Sequence, residues 1–147
     1  MLRLAVALVA AALAGSSAPP KTALLTHVRA EPSRVTFSFR SAPRQVEAGW
    51  VPKQKVTEDG SGKHVRVAGA AVLVLRFVPA SGADLSGNTF RLVYKGPRRL
   101  TPPAGGPVRE VVRVGDFEAM LSWAIGLDRK RHYRIVRNGA NVVVTFA

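Results

Sequence analysis

The chain has 147 residues, with 22 Lys and Arg against 9 Asp and Glu, a formal net charge of +13 and no cysteine. Without cysteine it cannot form a disulfide, use a catalytic thiolate or bind zinc through sulfur, so its stability has to come from a hydrophobic core. The length suits one folded domain, and a hydrophobic fraction of 47% excludes a disordered chain. The positive charge attracts polyanions without specifying a fold, and part of it can reflect compositional bias.

The N-terminal residues have the three-part pattern of a secretory signal. Arg3 precedes an unbroken apolar run over residues 4–14, and small residues follow as far as Ala18. The run is well short of the roughly 20 residues that a membrane-spanning helix needs. We therefore predict a signal peptide over residues 1–18, cleaved after Ala14 or Ala18, with an uncleaved anchor as the alternative.

The remaining chain divides into a short tether over residues 19–23 and one domain over residues 24–147. An exported chain of this kind is predicted to be extracellular or associated with a bacterial cell envelope. Nucleic acid is then not expected as a partner, despite the charge. Contact with a membrane is expected only transiently, through the signal segment.

The first half of the domain alternates polar and apolar residues, as β-strands do. Residues 34–40 alternate without a fault, and residues 46–50 continue the pattern. A short strand is predicted over residues 64–67, after a turn at residues 58–62. Residues 70–78 are apolar on both sides, which predicts a central strand covered on both faces.

The second half continues in the same way. Strands are predicted over residues 90–94, 108–114 and 117–125, followed by a hairpin of residues 132–137 and 141–146 with a turn at Asn-Gly. About ten strand candidates at this spacing predict an all-β, single-domain β-sandwich.

Two of these segments carry more specific expectations. In the strand over residues 108–114, Val108, Val112 and Val114 are expected on one face. The segment over residues 117–125 contains good helix formers, so a helix is the alternative there, but its alternating apolar residues favour a strand.

Candidate catalytic residues are few. Residues 60–63, Gly-Ser-Gly-Lys, lack the upstream glycine and the following Ser or Thr of a phosphate-binding loop, so a hairpin turn is predicted. The three histidines lie far apart and predict no metal site. Asp116 and Glu118 would share one face of a strand, as in a paired-acid site, but capping of backbone amides or an ion pair is the more ordinary role. We predict no enzyme and no cofactor.

Basic residues cluster at two places, around residues 98–99 and residues 129–134. Such side chains are either solvated or form an anion-binding face. The candidate ligand-binding residues are Arg98, Arg99, Arg129, Lys130, Arg131 and Arg134. Both tryptophans fall on apolar faces and are predicted core residues, although Trp50, close to a strand end, could instead stack on a sugar.

The order of several motifs resembles a known family. The motifs are Val35-Thr36-Phe37-Ser38-Phe39, Asp59-Gly60-Ser61-Gly62, Val67-Ala68-Gly69-Ala70-Ala71-Val72-Leu73, Tyr94-Lys95-Gly96-Pro97, residues 108–118, Trp123-Ala124-Ile125-Gly126 and Tyr133-Arg134-Ile135. Together they resemble the secreted actinobacterial AMIN-like domain over nearly all of residues 24–147. The resemblance implies a β-sandwich related to the AMIN modules that target cell-wall amidases and secretin complexes to peptidoglycan, with no known catalysis. It also implies structural roles for Asp116, Phe117, Glu118 and Trp123.

The sequence departs from the family pattern in two places. Glu31-Pro32-Ser33-Arg34 lacks the acidic residue that usually comes just before the first core strand. Gly139-Ala140-Asn141 and Thr145 replace the usual Pro-x-Arg and the terminal Asp of the last strand. The loss of the acidic residues adds to the net positive charge.

Together these features predict a non-enzymatic cell-envelope binding module that contacts an anionic cell-wall glycopolymer or peptidoglycan through a basic face. The alternative is a protein–protein adaptor that recruits or localises a cell-wall enzyme. A basic concave face would favour the polymer, and a large exposed apolar patch would favour a protein partner. A buried pair of Asp116 and Glu118 in a cleft would favour a hydrolase instead.

Overall fold

A computed structural model describes residues 21–147, so the predicted signal peptide lies outside the described residues. These residues form twelve β-strands and one short 3₁₀ helix. The strands are β1 (Ala23–Ala30), β2 (Arg34–Phe39), β3 (Gln45–Val51), β4 (Ala71–Val78), β5 (Ala80–Ser81), β6 (Ala83–Asp84), β7 (Arg91–Leu92), β8 (Arg99–Leu100), β9 (Val108–Phe117), β10 (Met120–Leu127), β11 (Tyr133–Asn138) and β12 (Asn141–Phe146), with the helix at Lys53–Lys55. Residues 21–147 contain no helix long and apolar enough to span a membrane.

Ten of the strands form two five-stranded sheets. Sheet A has the order β11-β12-β2-β1-β5, and sheet B has the order β3-β4-β10-β9-β8. Neighbouring strands are antiparallel except for β1 and β5, which are parallel. Strands β6 and β7 form a separate hairpin. The predicted all-β, single-domain sandwich is confirmed.

The main hydrophobic core lies between the two sheets. The alternation predicted for β2 is confirmed, because Val35, Phe37 and Phe39 are buried there while the intervening residues face solvent. Phe37 packs against Phe77 of β4 and Trp123 of β10, with ring centroids 4.9 and 5.9 Å apart. Tilted and edge-to-face rings of this kind add to the stabilisation from buried area.

The strand registers define two ends of the sandwich. At one end, called the hairpin end, Ala23 of β1 pairs with Ala80 of β5, and the Ala80 amide donates to the carbonyl of Ala119 between β9 and β10 at 2.8 Å. At the opposite end, Val108 at the start of β9 pairs with Leu127 at the end of β10. This second end is called the loop end.

The outer face of sheet B is covered by residues 52–69, which we call the strap. Val56 and Val67 of the strap are buried against a second apolar cluster on β4, β9 and β10, formed by Val72, Val112, Val114 and Ala124. Both faces of β4 are therefore covered, as predicted. The strand predicted over residues 64–67 is wrong: only an isolated bridge joins Thr57 to His64, because this part of the strap packs through side chains rather than in a ladder.

The segment predicted as one strand over residues 117–125 is instead a hairpin. Strand β9 ends at Phe117 and β10 begins at Met120, so Glu118 and Ala119 form a two-residue turn at φ 50° and 60°. Two successive positive φ values match the twist of a hairpin, but neither residue is a typical turn residue. The preference for strand over helix is confirmed, since β10 is a strand.

The face predicted for Val108 is also wrong. Gly126 pairs with Glu110 but Leu127 pairs with Val108, so Arg109 is an extra residue in β9. The bulge reverses the facing of the residues beyond it. Val108 consequently lies in the main core, while Val112 and Val114 face the strap.

Two further segments test the predicted pattern. Of residues 90–94 only Arg91 and Leu92 are in a strand, because Phe90 belongs to an exposed loop. The final hairpin is confirmed: Asn138 pairs with Asn141, and Gly139, at φ 59°, takes the first loop position.

Candidate anion-binding site

The structure separates the predicted ligand-binding residues. Arg98 precedes and Arg99 begins β8, an edge of sheet B. Arg134 lies on β11, an edge strand of sheet A. This strand packs over β3, the edge of sheet B opposite to β8, as the rings of Tyr133 and Trp50 show with centroids 5.9 Å apart. Arg129, Lys130 and Arg131 lie in the loop end, directly after β10.

Three of these arginines form ion pairs: Arg99 pairs with Glu110, as described below, and the other two pair near the surface. Arg98 donates to Glu58 of the strap, and this hydrogen bond is the main cause that lowers the pKa of Glu58. Arg131 donates through Nε and Nη2 to the two carboxylate oxygens of Asp128, at 3.1 and 2.7 Å, and lowers the pKa of Asp128. Much of the charge of both arginines is therefore already matched.

Three of the predicted residues stay available to a ligand. Arg129, Lys130 and Arg134 are exposed, and within residues 21–147 none of them forms an ion pair. Side chains of this kind attract anions without holding them in a fixed geometry.

A pocket of about 540 Å³ opens between the strap and β8. Its lining residues are Lys53, His64, Arg66, Val67, Ala68, Arg99 and Glu110. Five of the seven come from the strap, and only Arg99 belongs to the set predicted from sequence. Nε2 of His64 lies 3.3 Å from the carbonyl oxygen of Lys53.

Glu110 holds the three parts of this pocket together. Its Oε1 accepts hydrogen bonds from Nη1 of Arg99 at 2.7 Å and from the amide of Ala68 at 3.0 Å. The same Arg99 nitrogen donates to the carbonyl of Arg66 at 2.7 Å. The Glu110 side chain is only 12% exposed, so its charge needs these partners.

The charges of the pocket do not cancel. Lys53, Arg66 and Arg99 bring three cations, and Glu110 is the one carboxylate that lines it. Among the described residues the guanidinium of Arg66 forms no ion pair. The pocket therefore combines a net positive charge with a free guanidinium fork, which suits a carboxylate or phosphate ligand.

Sequence reasoning missed Lys53, His64, Arg66 and Glu110. The strap residues gave no signal, because they reach the pocket only when the strap folds back over sheet B. Glu110 did give one: it is an acid inside a mostly apolar strand. Such a residue is normally paired when buried.

Asp116 and Glu118 do not form a pair on one strand face. Asp116 accepts hydrogen bonds from the Ser81 hydroxyl and the Gly82 amide, both at 2.8 Å, and so caps the backbone that leads into β6. Glu118 is exposed in the turn after β9. The geometry required for the paired-acid alternative is absent from this site.

The other family-motif residues have different surroundings. Phe117 is exposed, whereas Trp123 is fully buried in the main core. Nε1 of Trp123 has no hydrogen-bond partner within the described part of the chain, and its ring packs edge to face against that of Tyr94, with centroids 5.5 Å apart. Trp50 is half-buried against Tyr133 and not free to stack on both sides.

The two remaining candidates from the sequence are the Gly-Ser-Gly-Lys segment and the histidines. The turn at residues 58–62 is a hairpin turn, closed by hydrogen bonds from Gly62 to Glu58 and from Glu58 to Lys63. Over residues 21–147 no group of three or more His, Asp or Glu side chains is placed to hold a metal ion.

Comparisons with known proteins identify the family of this domain. Neither the curated proteins nor the solved structures gave a match. A family model, described as the AMIN-like domain, matches residues 23–147, which span the sandwich from β1 to the end of β12. The chain therefore belongs to the AMIN-like domain family.

Proposed function

We propose that this domain binds an anionic polymer of the cell envelope, a cell-wall glycopolymer or peptidoglycan, through the pocket between the strap and β8. The AMIN-like domain is a cell-envelope-related, non-catalytic module, which supplies the setting. The single observation that carries the proposal is the net positive pocket, in which the guanidinium of Arg66 forms no ion pair with any acid of residues 21–147. In this proposal the protein reaches the envelope by export through its N-terminal signal.

The basic residues divide into two roles. Arg66 and Lys53 contact a phosphate or carboxylate group of the polymer, while Arg99 shapes the pocket through Glu110. Arg129, Lys130 and Arg134 raise the local polymer concentration by long-range attraction. Arg98 and Arg131 contribute less, because their charges are matched by Glu58 and Asp128.

The test is co-sedimentation with purified cell-wall sacculi, with and without their anionic polymers, across about 50–500 mM salt, where the Debye length falls from roughly 14 Å to roughly 4 Å. The pocket variant is Lys53→Gln with Arg66→Gln. The matched control, Arg129→Gln with Lys130→Gln, removes the same charge outside the pocket. Because charge-assisted hydrogen bonds are lost only in the first, we expect its affinity to fall at least about tenfold further than that of the control.

Equal losses in the two double variants would contradict a specific pocket and leave only electrostatic retention. Absence of binding by the unaltered protein at low salt would refute the polymer proposal. That result would favour the protein–protein adaptor, which needs no polymer contact.

A further inference from the structure

Large apolar side chains are exposed at the hairpin end. Leu85 and Phe90, each 67% exposed, flank the tip of the β6–β7 hairpin, and Leu92 is 50% exposed. Since Ala83 pairs with Leu92, continuing this register places all three apolar residues on one face of the hairpin. Every residue from 85 to 92 is exposed, so the tip projects from the domain rather than lining a groove.

A second apolar pair lies beside this tip. Phe117 and Met120 face each other across the β9–β10 hairpin and are both exposed. The two hairpins are tied together by Asp116, which accepts hydrogen bonds from Ser81 and Gly82 just before β6. The five exposed residues, Leu85, Phe90, Leu92, Phe117 and Met120, form what we call the apolar patch.

Cations lie around the apolar patch, although the exposed Glu118 stands in the turn between Phe117 and Met120. Arg40 follows β2 at the hairpin end, Arg91 lies on β7, and both are exposed. Hydrogen bonds from Ser86 lower the pKa of Asp84, and the positive charges of Arg40 and Arg91 lower it further, so both guanidinium groups are close to the hairpin. Lys21 precedes β1 at the same end.

The path of the chain points to the same surface. Because β1 starts at the hairpin end, the sequence that carries the apolar run over residues 4–14 joins the sandwich there. A retained run of this kind would bring a bilayer to the side of the molecule that already exposes the apolar patch.

We propose that the apolar patch docks on an anionic lipid surface. Leu85 and Phe90 insert below the headgroups, and Arg40 and Arg91 contact lipid phosphates, in the manner of interfacial apolar segments flanked by basic residues. A second copy of the chain is a poorer occupant, because two molecules of charge +13 repel each other. The contact is additional to the transient one expected from the signal segment. It also leaves the pocket between the strap and β8 free.

The absence of cysteine permits a site-specific test in the full chain. An environment-sensitive fluorophore is attached to Asn88→Cys at the hairpin tip, or to Ala104→Cys in an exposed loop at the opposite end. Each labelled protein is mixed with vesicles of phosphatidylcholine alone or with phosphatidylglycerol. With anionic vesicles we expect the emission of the fluorophore to shift to the blue at position 88 and not at position 104, whether or not the N-terminal segment also binds the vesicle.

A double variant tests the apolar contribution. In Leu85→Ser with Phe90→Ser, two exposed side chains lose their apolar area, so the fold should be kept and binding to anionic vesicles should weaken by about tenfold or more. The probe at position 88 should then lose its shift. An unchanged shift at position 88 would overturn the proposal, as would equal shifts at positions 88 and 104. If neither probe shifts with any vesicle, the lipid surface is excluded and a protein is left as the partner of the apolar patch.

Discussion

Substitution of Gly126 tests the packing of the strap on sheet B. Gly126 lies in β10, directly beneath the strap. A Cβ there would overlap the carbonyl oxygen of Ala68 and lie 2.8 Å from a methyl carbon of Val67, whereas carbon atoms pack at about 3.5–4.0 Å. Gly126→Ala must therefore push this part of the strap outward by about 1 Å or more.

The cost follows from what the strap loses. Exposing Val67, now 2% exposed, forfeits about 1.5–3 kcal/mol. Losing the Ala68 hydrogen bond to the buried Glu110 costs about 1–3 kcal/mol. Alanine in place of glycine offsets about 0.4–1 kcal/mol of this loss, because it restricts the conformations of the unfolded chain. The free energy of unfolding should therefore fall by about 2–5 kcal/mol. In a domain of this size each kcal/mol lowers the melting temperature by about 3–4 °C.

The matched control is Gly49→Ala in β3 of the same sheet, where an added Cβ meets nothing within 4 Å. It should be neutral or slightly stabilising. Urea unfolding of both variants, with amide exchange at Ala68, measures the difference. If Gly126→Ala stays within about 0.5 kcal/mol of Gly49→Ala, or if the Ala68 amide keeps its protection, the strap is not packed on β10 as described.

Two further substitutions address the loop end and the β9–β10 turn. Arg131 holds the pKa of Asp128 below its ordinary value. The ion pair therefore stabilises the fold above the pKa of Asp128 in the unfolded chain, near 4, and this stabilisation is lost as the pH falls through the pKa of Asp128 in the folded protein. The urea midpoints of Asp128→Asn and of the unaltered protein should differ at pH 7 and converge as the pH drops below about 4. A difference between the midpoints that does not change with pH would contradict a stabilising ion pair. Ala119→Gly relieves a φ of 60° and should raise the free energy of unfolding by about 0.5–1 kcal/mol. The same change at Ala104, where φ is not positive, should not raise it, and equal effects in urea would exclude relief of strain at the turn.

The strands with regular alternation could be predicted from sequence because burial alone decides their pattern. In β2 every inward position is apolar and every outward one polar, so Val35, Phe37 and Phe39 identify the core face without tertiary information. The β9–β10 turn could not be predicted, because Glu118 and Ala119 carry no turn preference. Their positive φ values are imposed by the pairing of the strands on either side.

Only part of the candidate site could be predicted from the sequence. Composition identified Arg99 as a basic residue, but not its partner, because a bulge at Arg109 sets the face on which Glu110 lies. The strap was missed for a related reason. Its few apolar residues, such as Val56 and Val67, are buried only when the strap lies over sheet B, and at Val67 the strap comes so close to β10 that only a glycine fits at position 126.

The order of strands in sheet A has a consequence for when the domain can fold. Strand β12 lies between β11 and β2, and its Val144 pairs with Val35 from the opposite end of the sequence. A nascent chain that has not yet delivered residues 141–146 leaves β2 without one neighbour and β11 without any. Since such distant contacts form late and only after long loops close, sheet A cannot be completed until β12 has left the ribosome.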